Sequence, residues 1–169
     1  MSVRQSLAAL LLSCTVLFSC NKNDDTPAPP VTSNPTPATC ADGSVCFKLN
    51  GTLISKPGSG YAFADTFSFV KYEEGAVQLS LDIFGNTAKT YTVGEQRVKD
   101  HARIYYFPEA NKMYLAKSGS FVVTAFTADK KISGNFSGTL YRYDSGSGAF
   151  TMADSLSITE GTFTKVQLL

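Results

Sequence analysis

His101 is the single histidine of this chain, so a histidine-based metal centre or a serine triad with its base would have to be built around that residue alone. It stands between Asp100 and Ala102 in a polar stretch and reads as a solvent-facing loop residue. Glycosidic hydrolysis needs two carboxylates facing each other across a cleft. Asp82 falls on the polar side of its strand by parity, Glu73 and Glu74 precede Gly75 in a turn, and Asp144, Asp154 and Glu160 border loops. Each is explained as a solvated face or a turn. The loop from Tyr143 through Asp144, Ser145, Gly146 and Ser147 to Gly148 carries oxygen ligands suited to calcium but lacks the EF-hand pattern, and a flexible hairpin loop accounts for it. No catalytic constellation emerges, and the expectation is a non-enzyme without cofactor or metal.

Tyrosine offers a different chemistry. Tyr105, Tyr114, Tyr141 and Tyr143 fall at strand positions where polar side chains are expected, and rings on a sheet can stack on sugars or engage a protein. Tyrosine also favours strands in its own right, and the chain has no tryptophan, which weakens the sugar-binding expectation. These four residues are the candidate ligand contacts. Asp154-Ser155-Leu156 resembles the Asp-Ser/Thr-apolar motif at which Bacteroidota glycosylate secreted proteins, which makes Ser155 a candidate O-glycosylation site.

Cysteine gives the chain an address. Leu7 to Phe18 is almost free of polar groups and follows a short basic start containing Arg4, the pattern of a secretory signal. A membrane-spanning helix needs about 20 apolar residues, and this run is shorter. Leu17-Phe18-Ser19-Cys20 resembles a bacterial lipobox. The resemblance implies a diacylglyceryl group on the Cys20 thiol, cleavage that makes Cys20 the first mature residue, and acylation of its amine. At about 0.8 kcal/mol per buried methylene, two or three acyl chains hold a protein to a membrane where one does so only marginally. Lys22, Asp24 and Asp25 resemble the tag with which Bacteroidota-type lipoproteins reach the outer face of the outer membrane; without that role they begin a solvated linker on the periplasmic face. Thr26 to Thr39 then holds five of the chain's seven prolines, an extended tether that cannot bury enough surface to fold.

The organisation is therefore a signal peptide over 1–19, a lipidated cysteine and tether over 20–39, and one domain over 40–169, long enough for a single core. With 15 basic and 14 acidic residues and no basic cluster, the charge pattern of a nucleic-acid binder is missing. Cys40 and Cys46, the two cysteines of the secreted part, read as a disulfide closing a small loop at the start of that domain.

These side chains must be positioned by strands, because the apolar residues recur at period two between turn residues rather than at helical spacing. Ile132 to Leu140 is the clearest case, with Ile132, Gly134, Phe136, Gly138 and Leu140 on one face and glycines marking close backbone approach. Phe47 and Leu49 lead through Asn50-Gly51, a two-residue hairpin signal, to Leu53 and Ile54. Val77 to Ile83 alternates strictly. Further strands are expected near 61–72, 89–93, 102–107, 112–117, 121–127, 155–159 and 162–168, the last with a bulge near Thr164 and Lys165 that restores its phase. Only Glu95 to His101 offers room for a helical turn. Nine or ten strands of this kind make an all-β antiparallel meander, either a β-sandwich or a lipocalin-like barrel.

SFVVTAFTADKKISGNFSGTLYRYD followed by DSLSITEGTFTKVQL resembles the C-terminal half of a group of uncharacterised small Bacteroidota lipoproteins with an ISGxFSG-like strand and a final Gly-x-Phe strand. The likeness covers residues 118–168, and the lipobox and CFKLNG hairpin agree with it. It implies no particular activity. The expected function is that of a membrane-anchored envelope lipoprotein acting as a binding or accessory module, with a protein or glycan partner. The alternative is a lipocalin-like carrier of a small hydrophobic ligand, which requires an apolar interior cavity of about 300 Å3 or more.

Overall fold

The structure, a computed structural model, describes residues 39–64 and 66–169. Cys20, Lys22, Asp24 and Asp25 lie outside the described residues. The domain is all-β, with ten strands and, among the described residues, no helix: β1 (Ser44–Leu49), β2 (Thr52–Pro57), β3 (Ser59–Phe63), β4 (Phe67–Glu74), β5 (Val77–Ile83), β6 (Thr90–Val93), β7 (His101–Glu109), β8 (Lys112–Phe126), β9 (Lys131–Asp144) and β10 (Ala149–Gln167). They form one sheet in the order β2-β1-β10-β9-β8-β6-β7-β5-β4-β3, with β7 also pairing β8. Every ladder is antiparallel except the short one between β6 and β7.

Local chemistry sets the turns. Asn50 at φ 47° and Gly51 at φ 86° supply the two left-handed positions of a type I′ hairpin between β1 and β2, as their sequence predicts. The expected bulge is present between Phe163 and Val166, with Lys165 at φ 45°. Two further register shifts, at Thr151/Ser155 and Ile158/Gly161, coil β10 so that one strand serves both β9 and β1.

The two end strands of the sheet, β2 and β3, are consecutive in the chain with only Gly58 between them. Pairing one with β1 and the other with β4 therefore rolls the sheet round a single core. Beside β3 run Leu168 and Leu169: the Leu169 amide donates to the Gly60 carbonyl at 3.0 Å, and the Ala62 amide donates to Leu169 at 3.3 Å. The result lies between the two expected forms, one rolled sheet joined at its ends by a bend and a short bridge instead of by a continuous ladder.

Inward positions are filled. Phe47 packs against Phe136, Tyr72 and Tyr106 with ring centroids 6.0–6.3 Å apart, and Phe121 against Phe163 at 5.8 Å. Leu79, Leu81 and Ile83 of β5 and Ile104 of β7 are fully buried beside them. These side chains belong to one apolar cluster of buried residues. Gly134 faces this packing as its sequence pattern suggests: a Cβ there would run into the Phe163 ring and the Val122 carbonyl. The disulfide joins Cys40 to Cys46 and ties the start of the domain to β1.

Several elements differ from expectation. Residues 61–72 form two strands, because the chain turns at Ala64, which adopts φ 46°. Residues 112–117 and 121–127 merge into β8, since Ser118, Gly119 and Ser120 pair with Thr139, Gly138 and Ser137 despite being polar or small. Residues 155–159 and 162–167 likewise belong to one strand, β10, and Leu168 follows it as an isolated bridge to Gly60. The segment Glu95 to His101 holds a single turn and no helix: the His101 amide donates to Val98 at 3.2 Å with Asp100 at φ 69°, while the Asp100 amide donates to Phe84 and its carbonyl accepts from Thr92. His101, expected in a loop, is the first residue of β7 and half-buried.

Candidate functional site

A groove lies on the outward face of β5, β7 and β8. With Leu79, Leu81 and Ile104 turned inward, strand parity sends Gln78, Ser80 and Asp82 outward from β5, Arg103, Tyr105 and Phe107 from β7, and Met113 and Leu115 from β8. Register sets Asp82 opposite Arg103, Ser80 opposite Tyr105, and Tyr105 opposite Leu115. Glu95 and Arg97 from the β6–β7 connection, and Tyr143 and Ser145 from the far end of β9, raise rims on either side. The groove so enclosed measures about 620 Å3.

Its floor is unusual in polarity. Arg103 and Tyr105 are each only 7% exposed. The Arg103 guanidinium lies 4.3 Å from the centre of the Tyr105 ring, and its Nη2 is 3.7 Å from Asp82 Oδ2. The Ser80 hydroxyl donates to Asp82 Oδ1 at 3.1 Å. Arg103 Nε and the Tyr105 hydroxyl are buried and find no hydrogen-bond partner among the described residues. Burial pushes the Asp82 carboxyl above its ordinary value, with the Ser80 hydrogen bond and the charges of Arg103 and Arg97 partly offsetting it. Burial also pulls the Arg103 guanidinium below its ordinary value, with Asp82 opposing.

Of the four tyrosines singled out by sequence, the structure brings two to this groove. Tyr105 forms its floor and Tyr143 its rim, the latter packed on Phe150 at 4.8 Å. Tyr141 shares the outward row, paired with Leu115 on one side and Ser155 on the other, but does not line the groove. Tyr114 is a correction: it is buried in the core beside Ala116, and its hydroxyl donates outward to Asp154 at 2.7 Å. The parity that places Leu115 outward leaves Tyr114 no other direction. Ser155 is exposed on β10. Asp144 is consumed by its own loop, accepting from the Gly146 amide and the Ser147 hydroxyl, which hold its carboxyl below the usual range. Among the described residues no three His, Cys, Asp or Glu side chains gather at a point that could hold a metal. No helix of the described residues is long and apolar enough to cross a membrane.

Sequence reasoning missed a second feature of the same face. Tyr61 and Phe63 of β3, Phe67 and Phe69 of β4, and Phe84 after β5 form a connected group of rings, with centroids 5.2–6.2 Å apart between neighbours. Tyr61 is 42% and Phe63 53% exposed. The signal was present in TFSFV: Val70 and Tyr72 belong to the core, so parity sends Phe67 and Phe69 outward and buries the small Ser68 between them. Phe69 stands opposite Asp82 in the β4–β5 ladder, so Tyr61, Phe69, Asp82 and Arg103 form one row across four strands.

No protein-family model matches the chain, and comparison with curated proteins and with solved structures finds no match either.

Proposed function

We propose that the chain is an envelope lipoprotein, anchored to the outer membrane through Cys20 and displayed by the Lys22, Asp24 and Asp25 segment, whose domain binds a saccharide in the β5–β7–β8 groove. The lipobox resemblance and the proline-rich tether support the anchor. The binding reading is carried by the floor of the groove, where buried donors without partners sit among aromatic rings.

A sugar presents apolar ring faces together with hydroxyls that both donate and accept. The groove offers the complement: the Tyr105, Phe107 and Tyr143 rings, the Asp82 carboxylate and Gln78 carbonyl as acceptors, and the Arg103 guanidinium and Tyr105 hydroxyl as donors. A buried donor left unpaired costs about 1–3 kcal/mol, so a side-chain shift that opens Arg103 Nε or the Tyr105 hydroxyl to a ligand acceptor in the groove would recover that energy. Arg103→Ala removes the central donor and should weaken binding of neutral and uronate oligosaccharides by roughly 10- to 100-fold, the cost of losing one charge-assisted hydrogen bond of about 1.5–3 kcal/mol. Isothermal titration of residues 39–169, which hold the whole described core and its disulfide, checks this; wild-type affinity in the variant would count against the site.

A further inference from the structure

Building on the saccharide reading, we infer that the ligand is a chain of at least three sugars lying across the strands, with one end at Arg103 and the other on the Tyr61–Phe63 rings. The row Tyr61, Phe69, Asp82, Arg103 passes from the exposed rings into the groove with one residue from each of β3, β4, β5 and β7. At about 4.8 Å between neighbouring strands, three spacings extend about 14 Å, more than a single sugar can span. The two ends differ as subsites. At the groove end, buried polar groups fix orientation and identity. At the other end, Phe63, Phe67 and Phe69 carry no polar group, and only the Tyr61 hydroxyl adds one, so that end offers stacking without demanding a particular hydroxyl pattern.

Two observations favour a ligand lying flat on this face over a peptide added as a strand. The edge of β3 away from β4 already bonds to Leu168 and Leu169, so its backbone is not free for strand addition there. The aromatic group is also continuous with a polar groove, a mixture that suits a ligand whose every unit has both an apolar face and hydroxyls.

The test is a length series. Two sets of oligosaccharides, a neutral β-glucan set and a galacturonate set from the monomer to the hexamer, are titrated against residues 39–169. In whichever set binds, affinity should rise by roughly 10-fold or more up to three or four units and then level off. Phe63→Ala should lower affinity for the tetramer by roughly 10-fold, leave the monomer and dimer unchanged, and be restored by Phe63→Tyr. Phe63 is half exposed, so its truncation leaves the core intact, which the thermal transition verifies. Equal affinity for dimer and tetramer, or a tetramer indifferent to Phe63→Ala, overturns the extended site while leaving a saccharide in the groove. Absence of binding by every member of both sets removes the saccharide reading and the extended site together, even if a protein partner is found on the same rings.

Discussion

Asp82 and Arg103 face each other across the β5–β7 ladder at 3.7 Å, too far for a strong hydrogen bond and too buried for water to screen them freely. Their pairing is thus incomplete, and the cost falls on both. For Asp82 it has a measurable sign. Its folded-state pKa is raised, so the native protein takes up this proton more readily than the unfolded chain does. As pH falls from neutral through the raised value towards the ordinary carboxylate range, Asp82 adds to stability, and the gain ends once both states are protonated. Denaturant unfolding of wild type and Asp82→Asn over that range should show the wild type gaining on the variant as pH drops. Parallel profiles would mean that the carboxylate is not desolvated in the folded state. At this scale the sequence disclosed Tyr105 and Tyr143 through type and parity. It hid Asp82 and Arg103, because a charged residue on the outward side of a strand reads as solvated until the loops that cover it are known. Tyr114 misled for the opposite reason: its hydroxyl reaches Asp154 while its ring packs inside, so type alone does not reveal which end is wet.

Among the elements, strand identity was largely legible and strand ends were not. Alternation marked β5 and β9, and the phase slip before Val166 marked a bulge, because both follow from which side chains must face the core. The merging of segments into β8 and β10 was illegible, since backbone pairing continues through serine and glycine wherever a neighbouring strand supplies hydrogen bonds. The β3–β4 turn carries no glycine, proline or asparagine signal at Ala64. The bend between β2 and β3 makes a demand of its own at Gly60. A Cβ there would sit 2.5 Å from both Leu168 Cδ2 and the Phe69 carbonyl oxygen. Gly60→Ala should therefore destabilise the domain by about 1–3 kcal/mol, the usual scale of overpacking, as a lower midpoint in urea. An unchanged midpoint would show that Leu168 and the Phe69 carbonyl both move aside without cost.

For the whole molecule, the proposed anchor and the folded domain are separable. Among the described residues every buried member of the core lies between Val45 and Leu168, so loss of the proposed lipid should change location and leave the described fold alone. Cys20→Ala in the cell should leave the signal uncut and abolish acyl labelling, while the Cys40–Cys46 disulfide and the thermal transition of the domain stay as in wild type. A variant that is processed and membrane-bound as before would point to an attachment other than acyl chains on Cys20.

The bridge from Gly60 to Leu168 also bears on timing. A chain made amino end first presents β3 well before the residues that bond to it, Leu168 and Leu169. Its rolled sheet cannot be completed before Leu168 is available, and long-range contacts of this kind form slowly in any case. The same contact that finishes the native state therefore delays it, and under the proposed export it would keep the chain threadable until Leu168 has emerged.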